Sequence, residues 1–330
     1  MNSLPGPPVR AHVSTGDLPD VERVLELVAD AHQRYAPVSD GAVADYIPIL
    51  AEASPDWFGI CVAGVAGRTA AVGDTERPFS IQSISKPFVF ALVCDAIGHE
   101  AARAALGVNN TGLAFNSIMA IELNDGRPMN PMVNAGAIAT TSLVPGDDAA
   151  ARWDFVRNGL SRFAGRNLAL NEDVFESEAS TNDRNQGIAH LLDGYGFLHA
   201  DPVETIERYT LQCSISVTAH DLAVMGATLA DGGVNPVTRE RVVDVATCQR
   251  VLAVLATSGL YERSGDWLYD CGLPGKSGVS GGIVTIAPGK GGLGVFSPPL
   301  DGAGNSVRGQ LVTQYLSEAL GLNLFTSDAV

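Results

Sequence analysis

A mixed α/β fold is what this sequence predicts, on three observations. Strand-like texture occurs at both ends of the chain, in Trp57-Phe-Gly-Ile-Cys-Val-Ala-Gly-Val and Thr69-Ala-Ala-Val-Gly-Asp, and again in Ser280-Gly-Gly-Ile-Val-Thr-Ile-Ala and Gly292-Leu-Gly-Val-Phe-Ser. Between them, from about 100 to 256, the apolar spacing is mostly helical. The content of 46% hydrophobic and 18% charged residues in 330 is that of a compact core. The simplest arrangement is one domain over 1–330, with no repeats and no linker. A sheet covered by helices is built from about 20–95 and 257–330, and an all-helical lobe of about 96–256 is inserted.

The elements follow in order. Asp20 is placed to cap a helix to about Tyr35, with Val21, Val24, Leu25 and Val28 on one face. Ala66-Gly67-Arg68 turns between the first two strands and makes a hairpin. The run Phe88 to Ile97 reads as a buried helix, and Asp95 interrupts it far too soon for a bilayer span. Asp148 caps a helix to Phe163. Thr218 caps another, with Leu222, Met225 and Leu229 inward and Gly232-Gly233 as its stop. A further helix is expected over Thr238 to Thr257, ended by Gly259, and a last one over Ser306 to Leu320.

Charge and cysteine usage exclude several function classes. The net charge of −16 argues against a nucleic-acid or anionic-membrane surface, which needs a basic patch. Cys61, Cys94, Cys213, Cys248 and Cys271 are scattered and odd in number, with no C-x-x-C. A disulfide framework is therefore not expected, and a reducing, cytoplasmic setting is. The opening residues lack an apolar stretch of the secretory type. The six histidines show no close ligand spacing, so neither a metal nor another cofactor is expected.

Lysine is the rarest cation: three residues against eighteen arginines. Two of the three lie in motifs. Lys86 closes Ser83-Ile-Ser-Lys86, and Lys276 opens Lys276-Ser277-Gly278. In a helix Ser83 and Lys86, three apart, share a face. A serine hydroxyl needs a neighbouring base to act as a nucleophile, and a desolvated lysine can serve because burial disfavours its charged form. Arginine cannot take that role. About 0.2 chance Ser-x-x-Lys matches are expected from this composition, so the motif alone is weak. A Ser-x-x-Lys followed much later by Lys-[Ser/Thr]-Gly is the framework of penicillin-recognising acyl-transfer enzymes, and the ordered pair points to an enzyme. Gly289-Lys-Gly291-Gly-Leu-Gly294 matches G-x-G-x-x-G, but a dinucleotide site needs a helix after the turn and Val295-Phe-Ser-Pro-Pro cannot be one. It reads as a hairpin turn.

Two polar segments suit an amino-acid ligand. Asn130-Pro-Met-Val-Asn134-Ala-Gly136 offers amides, and Glu178-Ala-Ser-Thr-Asn-Asp-Arg-Asn185 offers carboxylates and amides. Taken alone, each is an ordinary helix-capping loop. Tyr209 and Tyr261 serve either as proton relays or as half-buried aromatics, and spacing does not choose.

Together with Ala44-Asp-Tyr46-Ile-Pro48, Cys213-Ser-Ile215, Ser258-Gly-Leu-Tyr261, Gly272 to Gly282, Ser297 to Asp301 and Gly304-Asn-Ser306, these segments resemble the serine-dependent glutaminases over about 25 to 325. The resemblance implies the β-lactamase/transpeptidase-like fold, an antiparallel sheet covered by helices plus an inserted all-helical lobe. It implies hydrolysis of L-glutamine to L-glutamate and ammonia, and a homodimer or homotetramer. By the same resemblance Ser83 is the nucleophile and Lys86 its base. Tyr46, Asn134, Glu178, Asn185, Tyr209, Tyr261 and Val279 line the substrate, Val279 through its backbone. Tyr261 is the choice for shuttling protons with Lys86, with Tyr209 the alternative. The competing readings are a penicillin-binding protein or β-lactamase, and a non-catalytic amino-acid sensor on the same fold.

Overall fold

The computed structural model describes residues 17–327. The reading of residues 1–16 as free of a secretory signal lies outside them. Seven strands occur among the described residues: β1 Gly59–Gly64, β2 Thr69–Gly73, β3 Phe79–Ser80, β4 Ser216–Val217, β5 Gly275–Ser277, β6 Gly282–Ala287 and β7 Gly291–Phe296. Five form one antiparallel sheet in the order β2-β1-β7-β6-β5. The β1–β7 pairing, Gly59 opposite Phe296 through Gly64 opposite Gly291, joins the two ends of the chain. β3 and β4 form a separate two-residue ladder.

Helices cover both faces of the sheet. On one face lie Val21–Tyr35 and Val307–Ala319, where Val24, Val28, Val312 and Leu316 pack on Ile60, Val62 and Val295. On the other lies Ala219–Ala230, held by a full capping box between Thr218 and Asp221. This helix lies against the sheet although it falls within the span assigned to the helical lobe. Glycines let it do so. A Cβ at Gly292 would stand 2.3 Å from the Ala223 carbonyl oxygen, and one at Gly294 would stand 2.0 Å from that of Ala219. The G-x-G-x-x-G sequence is thus a β-hairpin whose glycines admit a helix backbone, which no side chain would allow. Gly292→Ala is expected to destabilise the fold by about 1–3 kcal/mol or more through overpacking, read as a lowered urea midpoint; an unchanged midpoint would contradict this packing account.

Helix Ser85–Ile97 runs through the middle of the molecule and is buried continuously from Ser85 to Cys94. Its low amphipathicity follows from having protein on every side, including helices Ala149–Ala164, Asn134–Ser142 and Val245–Ser258. Asp148 caps Ala149–Ala164 by accepting the Ala151 N–H, as its sequence position suggests.

Three details differ from the sequence reading. In the first helix Leu27 and Ala31 are buried and Leu25 faces solvent, so the inward stripe is turned from the one expected. Asp20 occupies the cap position but makes no side-chain cap bond. The helix expected from Thr238 starts at Val245. Asn235 accounts for that: its Oδ1 accepts the Val237 and Thr238 N–H groups, and Val234 bridges to Arg241, which folds the segment into a tight loop. All five cysteines are buried and free. Among the described residues no helix is long and apolar enough to cross a membrane.

Candidate active site

Ser83 occupies a 3₁₀ turn, Gln82–Ile84, that leads directly into helix Ser85–Ile97. The turn is fixed from both sides. β3 is paired with β4, and the Ile81 N–H donates to Ile215 at 2.8 Å. Gln82 takes φ +51°, a left-handed conformation costly for a residue with a side chain. Its side chain compensates by donating to Glu178 Oε2 at 3.1 Å and Ser80 Oγ at 3.3 Å. The result is a nearly buried serine at a helix N-terminus, where developing negative charge is favoured.

Lys86 is 1% exposed. Its Nζ donates to Asn134 Oδ1 at 2.7 Å and to the Met132 carbonyl at 3.4 Å, and stands 5.9 Å above the Phe115 ring. No carboxylate forms an ion pair with it among the described residues. Burial therefore dominates and pulls its pKa down to about 8, against the opposing pull of Cys213 and Glu178. A neutral amine is accessible there near neutral pH.

Asn134 begins helix Asn134–Ser142, and Gly136 is needed just behind it, because a Cβ there would lie 1.7 Å from the Asn130 oxygen. Asn134 is the hub of the polar cluster. Its Oδ1 accepts from Lys86 and, at 3.5 Å, from Tyr209, while its Nδ2 donates to Asn185 Oδ1 at 2.9 Å. Asn130 is used differently. It spends its side chain on the Asn109 carbonyl and the Met132 N–H, the loop-capping role that its position alone suggests.

Glu178 stands near the end of helix Glu172–Ala179 and is 7% exposed. Burial pushes its carboxyl up to about 7, with the Gln82 hydrogen bond and the Lys86 charge working the other way. A carboxyl raised above its unfolded value stabilises the fold below about pH 4.5, and that contribution is lost as pH rises through 7. Glu178→Gln is therefore expected to stabilise the unliganded protein at pH 8, on the order of 3 kcal/mol, and to change little at pH 4.5. Thermal melts at the two pH values check this; equal shifts at both would sink it.

Tyr261 is the second non-glycine residue of the site with a left-handed backbone, at φ +56°. Its ring packs on Phe115, with centroids 4.6 Å apart, and Lys276 Nζ sits 4.0 Å from its face. Its hydroxyl donates to the Ser277 carbonyl at 3.3 Å. Burial raises the phenol to about 12, with the neighbouring Ser83 and Ser277 side chains pulling the other way. Lys276 is 0% exposed, donates to the same Ser277 carbonyl at 3.0 Å, and is driven well below the usual lysine range by burial and then by Lys86. Tyr209, beside Cys213, is raised by burial as well. Tyr46 leaves 55% of its surface exposed, and burial followed by the proximity of Tyr261 and Glu178 raises its pKa.

Val279 lies in the tight turn after β5. Gly278 comes so near the Ser83 turn that a Cβ on it would stand 3.0 Å from the Ile81 oxygen. Among the described residues neither the Val279 N–H nor the Ser83 N–H has an acceptor. Two free donors beside a serine are what an oxyanion requires.

The structure draws Ser83, Lys86, Asn134, Glu178, Asn185, Tyr209, Tyr261, Tyr46 and Val279 into one neighbourhood. Sequence reasoning gave no role to Gln82 and Phe115. Gln82 sits inside the serine motif, but nothing in its identity announces a positive φ. Phe115 lies in a segment with no periodicity to reveal what it covers. The third lysine, Lys290, caps the chain at the Gly321 carbonyl and takes no part in the site.

Fold and site define a class, a hydrolase of the β-lactamase-like fold. The sequence profile described as Glutaminase matches residues 41–325. Glutaminase 2 of Yersinia pestis is 59% identical over 318 residues, covering 96% of this chain and 93% of that protein. The solved structure of a probable glutaminase, ybaS, superposes with a TM-score of 0.92 at 42% identity, over 94% of this chain and 100% of that one. The structure of Mglu in its glutamate form gives 0.88 at 41%, over 93% and 71%. The chain belongs to the glutaminase family, and its activity is that of an L-glutamine amidohydrolase.

Proposed function

We propose that hydrolysis of L-glutamine to L-glutamate and ammonia runs through an acyl-enzyme on Ser83. The observation that carries this reading is Lys86. It is a buried amine without a carboxylate partner, held by the Asn134 amide oxygen at 2.7 Å and lowered to about 8. In its neutral form Lys86 takes the Ser83 proton as Oγ attacks the side-chain amide carbon. The Ser83 and Val279 N–H groups receive the oxyanion, an interaction worth roughly 3–4 kcal/mol per donor in known cases. The tetrahedral intermediate collapses and ammonia leaves with a returned proton. Water then hydrolyses the ester by the reverse sequence of proton transfers. Tyr261 is favoured over Tyr209 as the relay, because its phenol stands close enough to Ser83 for that side chain to lower its pKa, whereas Tyr209 is turned to Asn134 and Cys213.

Glu178 is the partner for the substrate α-ammonium, with Asn134, Asn185 and Tyr209 as donors to its α-carboxylate and Tyr46 closing over it. The reading treats 1–330 as a single domain whose α/β lobe, about 20–95 with 257–330, meets its helical lobe, about 96–256, at Ser83. Five buried thiols support a reducing, cytoplasmic setting, and resemblance to the family supports a homodimer or homotetramer.

Ammonia release compared between glutamine, asparagine and a chromogenic cephalosporin tests the reading. Turnover of glutamine with none of the cephalosporin is expected, and asparagine, one methylene shorter, should place its amide short of Ser83 and react slowly. Cephalosporin turnover without ammonia release would establish the rival penicillin-type reading. Tight glutamine binding with no acyl-enzyme on Ser83 by mass spectrometry would establish a sensor.

A further inference from the structure

The segment Ser277-Gly278-Val279 serves the site twice, through the Ser277 carbonyl that receives Tyr261 and through the free Val279 N–H. Its own support comes from a loop 300–306 that no part of the reaction uses directly. Asn305 in that loop is 0% exposed and lies 2.5 Å from Ser277 Oγ, which donates to its Oδ1. The loop's own hydrogen bonds hold this side chain in place. Asp301 Oδ1 accepts the N–H groups of Ala303 and Asn305 at 2.9 and 3.0 Å, and the Asp301 N–H returns a bond to the Asn305 carbonyl. Ser306 Oγ ties the end of the loop to the Ser297 carbonyl at 2.7 Å. Leu300, at the other end, packs in one apolar cluster with Val279, Ala44, Ile47 and Leu50. Gly304, at φ +89°, lies against Val279, its Cβ position 3.7 Å from Cγ1. The loop thus grips Ser277 by a hydrogen bond and Val279 by apolar contact.

We infer that Asn305 is a positioning residue for the reaction. By fixing the Ser277 side chain it fixes the backbone that presents the Val279 N–H to the oxyanion and the Ser277 carbonyl to Tyr261. The Asn305 Nδ2 is buried without a partner among the described residues, so Ser277 is the one side chain its amide engages. The inference rests on the oxyanion role of Val279 proposed above. A displacement of about 1 Å in such a site costs on the order of 10²-fold in rate.

The test is a double-mutant cycle on the intact enzyme with glutamine, with Asn305→Ala, Ser277→Ala and both together. Asn305→Ala is expected to lower kcat roughly 10- to 100-fold with KM within about threefold of wild type, since the groups assigned to the substrate amino-acid moiety lie elsewhere. The double mutant should be no worse than the weaker single one, because Asn305 acts through Ser277. Ser277→Ala removes the same hydrogen bond from the other side without burying a charge and should show the same kcat loss at near-unchanged KM, which separates positioning from general destabilisation if Asn305→Ala folds poorly. Multiplying effects in the cycle, an Asn305→Ala kcat within twofold of wild type, or a Ser277→Ala enzyme as fast as wild type would each overturn the inference. The acyl-enzyme reading fails separately, through turnover in Ser83→Ala.

Discussion

Ser83→Ala is expected to lose turnover by at least about 10⁴-fold while still binding glutamate, since removing a nucleophile abolishes the covalent route and leaves only binding and charge stabilisation. The change removes one oxygen from a side chain 8% exposed, and the turn around it is held by Gln82, Ile81 and β3 rather than by the serine hydroxyl. The fold should therefore survive, and glutamate affinity by calorimetry should stay near that of the parent. Intact-protein mass spectrometry on wild type with a slow-deacylating substrate should show one acyl group, and it should vanish in the mutant. A Ser83→Ala enzyme retaining even a few per cent of wild-type ammonia release would refute the nucleophile assignment.

The second large effect falls on Lys86. Lys86→Arg preserves the positive charge but cannot give up a proton, so it should be nearly as slow as Lys86→Ala. A loss of about 10²–10⁴-fold is the usual worth of a positioned general base. The environment sharpens the expectation. The pocket is apolar enough to bring the amine down to about 8, and its acceptors are the Asn134 amide oxygen and the Met132 carbonyl rather than a carboxylate. Wild-type kcat/KM should climb as pH rises towards 8, as the amine becomes neutral and as the Glu178 carboxyl, near 7, ionises to meet the ammonium. Glu178→Gln should remove the lower inflection along with most of the affinity. A mostly active Lys86→Arg enzyme with an unchanged profile would mean that charge, not proton transfer, is required.

Much of the site is legible in the chain because its chemistry is carried by types that stand out. Lysine is rare here, so Lys86 beside Ser83 and Lys276 before Ser277-Gly278 are visible without coordinates. Glu178 and Asn185 are visible as polar residues ahead of an apolar helical run. Tyr209 and Tyr261 are not distinguished by spacing. Their difference is one of neighbours, Asn134 and Cys213 for one, Ser83, Phe115 and Lys276 for the other. Asn305 could be quoted as part of a motif but given no role, since its contact with Ser277 spans 28 residues of sequence.

The same division holds for the fold. Strands β1, β2, β6 and β7 and the helices capped by Asp148 and Thr218 follow from alternation, turn residues and caps, which act over a few residues and are written locally. Helix Val245–Ser258 starts later than its apolar spacing suggests because Asn235 captures two N–H groups in a loop that composition does not betray. The β3–β4 ladder, two residues on each side and more than 130 apart in sequence, carries too little pattern to be read.

What the sequence by itself determined is the list of reactive groups and the local elements that carry them. The tertiary structure alone decided their electrical state and aim. The Lys86 amine is drawn down to about 8 because helices on every side exclude water from it, Glu178 rises to about 7 for the same reason, and Gln82 and Tyr261 hold left-handed backbones because distant contacts outweigh their strain. Desolvation and strain are sums over neighbours far apart in the chain, and no window of sequence contains them.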